Sequence, residues 1–288
     1  MEQNEIFFRA SDGTSLGGWY TLPNGEGPHP LIVMTHGLSS LADLGLIDFA
    51  TRFSEAGFAC LAYDHRNWGR SEGWPRHESD PWAQVADMHD AISFARTLDW
   101  VDPDCIGLWG TSYSGGHALV VGAMDRRVRC IVAQVPFVFG ARNFDLWVPD
   151  EVRATVLDVL SADRDGRARG HPPMMRPVAE PGSEVAEWAG RIDKSGIYPN
   201  ELSFRSLDLA RTYEPGSFAD RISPTPLMLI VADNDTTNPV DWQLEVFENA
   251  REPKRLVRLK CGHYDPYLDH IEAAAGAAIG WFADHLKQ

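Results

Sequence analysis

One six-residue run, Pro30-Leu-Ile-Val-Met-Thr35, is apolar on both of the faces that a β-strand would present. Side chains alternate across a strand, so such a run needs cover above and below, which is the position of a central strand in a parallel sheet. The rest of the chain repeats the theme. Strand-like runs at Phe58–Tyr63, Cys105–Trp109, Val128–Val135, Pro226–Val231 and Arg255–Leu259 alternate with segments of helical spacing. A helix burying Leu46, Ala50 and Phe53 is expected after a capping box at Ser40 and Asp43, with Gly57 closing it. Another is predicted over about Asp80–Leu98, with Val85, Met88, Ile92 and Ala95 on one side. Further helices should follow Ser112 and open at Asn238-Pro239, with Asn238 as N-cap, and a last one carries Ile271, Ala275, Ala278 and Phe282. The opening runs EIFFRA and LGGWYTL, joined by Asp12-Gly13-Thr14, read as an antiparallel hairpin. Strand–helix alternation of this kind builds an α/β fold, a mostly parallel central sheet flanked by helices.

One stretch interrupts the rhythm. Residues 137–223 separate two predicted strands by roughly 87 positions, far beyond a direct crossover. The stretch divides the chain into a core formed by 1–136 and 224–288 and a helical cap, or lid, formed by 137–223. Helical spacing recurs in it at Val152/Val156/Val159, Val185/Trp188/Ile192 and Leu202/Ser206/Leu209/Tyr213. The Gly-, Pro- and charge-rich SADRDGRARGHPPMMRPVAEPG between the first two is expected to be irregular.

Composition narrows the function classes. At 288 residues the chain is long enough to bury about 75% of its extended surface. A formal charge of −15 repels phosphate backbones and anionic lipid heads, which argues against nucleic-acid and membrane partners. No apolar run approaches the ~20 residues of a membrane span, and MEQNEIFFRASDG carries no basic n-region, so the cytosol is the expected compartment. Cys60, Cys105, Cys130 and Cys261 show no disulfide framework, and the first three, set in apolar runs, read as small buried side chains. Asp87, His89 and Asp90, or Cys261 beside His263, lack the spacing of a metal motif, and no metal or cofactor is implied.

The chemistry concentrates in Gly110-Thr-Ser112-Tyr-Ser114-Gly115, a G-x-S-x-G between a strand-like run and a helical one. A serine on so sharp a turn is pushed out of the sheet's end, and the following helix aims free N–H groups at it. Gly110 and Gly115 supply the missing side chains that the turn requires. Ser114, one position past the turn, is assigned a structural part. A serine hydroxyl needs a base and an orienting acid. The loop ADNDTTNP offers Asp235, preferred over Asp233 because it sits on the loop crest, and Cys261-Gly262-His263 puts a histidine after the next strand. His270 and His285 are rivals placed in the final helix. The order Ser112, Asp235, His263 is that expected of a nucleophile on such an elbow. Thr35-His36-Gly37-Leu38 follows the central strand, and the Leu38 and Tyr113 backbone N–H groups are the natural donors for an oxyanion. His36 should anchor its loop. Trp68, Trp74, Trp147 and Trp188 are candidates for the substrate pocket, Trp68, Trp147 and Trp188 foremost.

Together HGL, GTSYSGG, ADNDTTNP and CGHYDPY resemble the α/β-hydrolase superfamily across essentially the whole chain. Asp64-His-Arg-Asn-Trp-Gly-Arg-Ser-Glu-Gly73 resembles that family's D-x-R-G-x-G-x-S-x-G loop, with Asn67 where glycine is usual. Within the superfamily, DHRNWGRSEG and GTSYSGGHAL are most similar to the polyketide hydrolase/transferase group, and X-Pro dipeptidyl-peptidase-type hydrolases share parts of them. The resemblance implies a serine hydrolase acting on an ester or thioester through an acyl-enzyme, without cofactor. Acyl transfer to another acceptor and C–C bond hydrolysis use the same machinery and stay open. A ligand receptor that merely retains the fold is the alternative of another class. The aliphatic and aromatic content of 137–223 (Val138, Phe139, Phe144, Leu146, Trp147, Met174, Met175, Trp188) points to an apolar small-molecule acyl group, with oligomeric state, a homodimer included, left open.

Overall fold

The structure is a computed structural model and describes residues 2–287. Its strands before the interruption are β1 (Asn4–Arg9), β2 (Ser15–Thr21), β3 (His29–Thr35), β4 (Ala59–Tyr63), β5 (Val101–Thr111) and β6 (Val128–Gln134). The helices among them are α1 (Leu46–Glu55), α2 (Pro81–Ala95) and α3 (Tyr113–Met124). Residues 137–223 hold α4 (Gly140–Trp147), α5 (Asp150–Ala168), β7 (Met175–Arg176), α6 (Glu184–Ile192), β8 (Leu202–Ser203), α7 (Phe204–Ala210) and a 3₁₀ turn, Pro215–Arg221. The chain ends with β9 (Leu227–Ala232), α8 (Val240–Asn249), β10 (Lys254–Leu259) and α9 (Ile271–Leu286).

Eight of the strands form one sheet in the order β1-β2-β4-β3-β5-β6-β9-β10. The β1–β2 and β2–β4 pairs are antiparallel, as the hairpin reading requires, and the pairs from β4 through β10 are parallel. Side-chain alternation divides the core cleanly. Leu31 and Val33 of β3, Leu61 of β4 and Leu229 of β9 join one apolar cluster with Val85, Met88 and Ile92 of α2 and Leu119 of α3. Ile32 and Met34, Cys60 and Ile230 join the other with Phe49 and Phe53 of α1 and Phe282 of α9. Both faces of the sheet are therefore covered, and the apolar β3 run has its physical reason. Among the described residues no helix is long and apolar enough to cross a membrane.

Several local expectations give way. Ser40 and Asp43 cap nothing: α1 starts at Leu46 behind Gly45, whose φ is 89°. The Asp43 carboxylate instead accepts a hydrogen bond from Trp19 Nε1 at 2.9 Å and pairs with Arg70 at 2.7 Å, two donors stronger than a fraying helix end. Asn238 does not cap α8, because its amide donates to the Val135 carbonyl at 3.0 Å and its Oδ1 accepts from Asn143. The segment expected to be irregular is helical as far as Ala168, since Arg167 pairs with Asp163 one turn back and with Glu78 outside the segment. Cys105 is half-exposed, whereas Cys60, Cys130 and Cys261 are buried, and all four are free thiols. The ends of 137–223 pack into the main core through Phe137, Val138, Tyr213, Ala219 and Ile222. The interruption is thus anchored on both sides and not tethered by linkers.

Asn67 explains its departure from glycine. Its φ is 71°, in the left-handed region where asparagine is among the best-tolerated side chains, and its Nδ2 donates to the Glu78 carbonyl at 2.8 Å. Asn67→Gly should lose only that hydrogen bond, about 1 kcal/mol. Asn67→Val adds backbone strain and should cost about 2–3 kcal/mol, readable as a shift in the denaturant midpoint.

Candidate active site

Parallel strands end on one edge, and that edge gathers the chemistry. Ser112 follows β5 directly and is the turn into α3, with φ 53° and ψ −117°. The conformation is strained for an L-residue and is held by backbone hydrogen bonds on both sides of the residue. Ser112 N–H donates to Gln134 O at 2.8 Å, while its carbonyl accepts from Gly115 and Phe137. Gly110 must be glycine, because a Cβ there would strike the Ser114 carbonyl.

The structure brings Ser112, His263 and Asp235 together. Ser112 Oγ lies 3.1 Å from His263 Nε2, and His263 Nδ1 lies 2.8 Å from Asp235 Oδ2. Asp235 is acceptor-only as a carboxylate, so Nδ1 carries the ring proton and Nε2 offers a lone pair to the serine hydroxyl. The carboxylate is held from all sides. Oδ1 accepts the Thr237 and Asn238 backbone N–H groups at 3.0 and 2.7 Å, and Oδ2 also accepts from Gln243 Nε2 at 3.2 Å. The rivals fall elsewhere: Asp233 pairs with Arg258 at 2.7 Å. His270 stands as the residue before α9, and the His285 ring packs on Trp281. Gln243, on the first turns of α8, and Asn143, whose amide donates to the Thr237 carbonyl at 3.0 Å, escaped the sequence reading. Isolated amides carry no motif; only the spacing of Gln243 from the Asn-Pro helix start could have flagged it.

Gly37 packs on the serine, where an added Cβ would stand 3.2 Å from Ser112 Cβ. Leu38 lines the same cavity as Ser112, and Tyr113, the first residue of α3, has an N–H without an intrahelical acceptor. His36 does anchor this loop. Its Nε2 accepts from the His65 backbone N–H at 3.1 Å, which leaves the proton on Nδ1 to donate to the Gly37 carbonyl at 2.9 Å. Ser114 serves structure, donating to the His36 carbonyl and accepting from His65 Nε2 at 2.7 Å.

A cavity of about 310 Å³ opens at this edge. Leu38, Leu44 and Leu46 form one wall, and Val178, Val185, Leu202 and Leu207 form another. Trp147 and Trp188 line it, the latter beside Tyr264 and Tyr267. Trp68 does not: it is fully buried with its ring against His77, drawn inward by the core below the Asp64–Gly73 loop. Trp74 is exposed and away from the cavity. The other candidates of 137–223, Val138, Phe139, Phe144, Leu146, Met174 and Met175, do not line it, with Phe144 packed on Val148 and Leu160 and with Leu146 and Met174 facing solvent. The residues weighed as metal ligands have other partners: Asp87 holds Arg66, His89 faces Asp125, and Asp90 accepts the Ser11 N–H. Burial pushes the Cys261 thiol up to about 11, so it stays protonated beside His263.

Fold and site define an α/β hydrolase. The chain matches the profile of the X-Pro dipeptidyl-peptidase (S15 family) over residues 12–265 and belongs to that family. It is 30% identical to the polyketide transferase grgF of a Penicillium species, with 99% of this chain and 98% of that one covered. The crystal structure of that α/β hydrolase superposes with a TM-score of 0.88, covering 100% of each chain at 28% identity. The quorum-quenching protein AidA of Acinetobacter baumannii is 35% identical over 85% of this chain and 83% of its own. The thiohydrolase aneE of Aspergillus aculeatus is 32% identical over 88% and 83%. The protein is an enzyme of the α/β-hydrolase type.

Beneath the site, His36, His65 and His117 form a buried column with ring centroids 4.5 and 5.5 Å apart. Burial holds all three below the ordinary imidazole range, His117 down to about 3. Unfolded imidazoles titrate near ~6.5, so between those values the unfolded chain binds more protons and stability rises with pH. Their contribution is complete above pH ~6.5 and is lost as pH falls toward 3. In a series of denaturant unfolding curves from pH 7 to 4.5, His117→Asn should flatten this loss by about one proton's worth of slope.

Proposed function

We propose that the protein is a serine hydrolase cleaving an ester or thioester of a largely apolar small-molecule acyl group. The observation that carries the reading is the hydrogen-bonded line Ser112–His263–Asp235 at the floor of an apolar cavity. Ser112 attacks the acyl carbonyl while His263 Nε2 takes the hydroxyl proton and passes it to the departing oxygen or sulfur. Asp235 fixes the imidazole tautomer and stabilises the imidazolium that forms. The Leu38 and Tyr113 N–H groups receive the oxyanion, assisted by the positive end of α3. Water, deprotonated by His263, then releases the acid and restores the serine. Residues 137–223 act as the lid of this reaction, with Trp147 and Trp188 packing on the acyl group.

A second reading, acyl transfer, is favoured by the similarity to a polyketide transferase across 99% of the chain. It shares every step up to the acyl-enzyme and differs in admitting an alcohol, amine or carbon nucleophile in place of water. Product analysis with and without a candidate acceptor separates the two.

Ser112→Ala should abolish turnover of a 4-nitrophenyl ester series and labelling by a fluorophosphonate probe, and a label on any other residue counts against the proposal. Asp235→Asn should keep the fold and lower kcat by roughly 10³–10⁴-fold in the same steady-state assay, because the wrong tautomer is then favoured.

A further inference from the structure

Arginine usage in 137–223 has one exception. Arg142, Arg153, Arg164, Arg167, Arg169, Arg191, Arg205, Arg211 and Arg221 each lie within ion-pair distance of a carboxylate. Among the described residues Arg176 has no such partner. Its Nε donates to the neighbouring Pro177 carbonyl at 3.2 Å, and Arg176 lines the same cavity as Ser112. No described aspartate or glutamate lines that cavity. In a chain with 41 acidic residues against 26 basic ones, a cation left without an acid at an otherwise apolar wall is a choice with consequences.

Position makes the group a fixture. Arg176 pairs with Leu202 across the two-stranded β7–β8 ribbon, and directly opposed residues of an antiparallel pair share a face. Leu202 lines the same cavity, so the ribbon presents an aliphatic side chain and a guanidinium side by side. The ribbon is itself held: the Ser203 N–H donates to the His77 carbonyl at 2.9 Å, and the Ser203 hydroxyl donates to Glu78. A guanidinium offers a planar fork suited to carboxylate or phosphate oxygens.

We propose that Arg176 is a specificity-determining residue that receives an anionic group of the substrate, so that the site takes an amphipathic, singly anchored acyl ester or thioester and not a uniformly apolar one. The proposal rests on the serine-hydrolase reading and names the substrate class of that same site. Two sources supply such an anion: a carboxylate on the acyl chain, or the phosphate of a phosphopantetheine leaving group.

Paired substrates separate them. The acyl arm compares 4-nitrophenyl hexanoate with 4-nitrophenyl hydrogen adipate, which adds one distal carboxylate. The carrier arm compares hexanoyl N-acetylcysteamine with hexanoyl phosphopantetheine. In one arm the wild type should favour the anionic member by about 10-fold in kcat/KM, mainly through KM, the size of one part-exposed charge-assisted hydrogen bond. Arg176→Gln should erase that preference while leaving the neutral member within about 2-fold, and Arg176→Lys should restore part of it. Retained turnover of the neutral members is the control for folding. Equal rates for both members in both arms, or an equal slowing of all four substrates by Arg176→Gln, overturns the proposal. Its failure is distinguishable from failure of the serine reading. Ser112→Ala that still turns over the neutral esters sinks the latter. Calorimetric titration of Ser112→Ala and Ser112→Ala/Arg176→Gln with the hydrogen adipate ester and with phosphopantetheine tests anion binding without chemistry. About 10-fold weaker binding of one of the two in the double variant is expected, and unchanged binding of both contradicts the proposal.

Discussion

The backbone at Ser112 is held where an isolated serine would not stay, and much of the surrounding structure is what holds it. Its left-handed φ of 53° has a neighbour of the same kind, Val135 at 39°, on the adjacent strand end. A β-branched residue there is a stronger outlier than serine. Each such position costs of order 1–3 kcal/mol. Each is bonded onto the next strand of the sheet, Ser112 N–H to the Gln134 carbonyl of β6 and Val135 N–H to the Ile230 carbonyl of β9. A sheet buried on both faces cannot relax its strand ends without exposing core, so the strain persists. The Val135 carbonyl in turn receives Asn238, which ties the loop bearing Asp235 to the same strained corner.

Polar groups around that corner are wired with definite direction. Asp235 can only accept, which sets the proton of His263 on Nδ1 and faces the Nε2 lone pair to Ser112. The His36–His65–Ser114 set is equally directional, and burial of its imidazoles outweighs the pull of Asp64 on His36 and keeps both below the ordinary imidazole range. The same residue type is therefore used in two ways within a few ångströms. His263 is paired with an acid, and burial holds His36, His65 and His117 below the ordinary imidazole range.

The sheet edge supplies Ser112 and His263 to the cavity, and 137–223 adds part of its wall. Val178, Val185, Leu202 and Leu207 give this chain an apolar enclosure, and Arg176 breaks it at one point. Function in such folds lies in the site and not in the architecture, and the relatives of this chain are named for transfer, thioester cleavage and quorum quenching.

Period and chain order are local properties, and their consequences were legible in the sequence. The two-faced β3 run, the helical spacings and the G-x-S-x-G after a strand were enough to place Ser112, Asp235 and His263 on one edge. Asn67 showed in the sequence only as a departure from glycine, and its left-handed backbone, φ 71°, was decided by the fold. Tertiary structure decided the competitions between partners distant in the chain. Asp43 left a helix cap for Trp19 and Arg70, Asn238 left one for Val135, and Trp68 left the pocket for the core. Gln243 reached Asp235 from a helix whose sequence carries no catalytic motif. Arg176 stands out only because nine other arginines of its segment found acids and it did not. A side chain's propensity is written in its own neighbourhood, but which donor, acceptor or cavity finally claims it depends on what folding brings within a few ångströms.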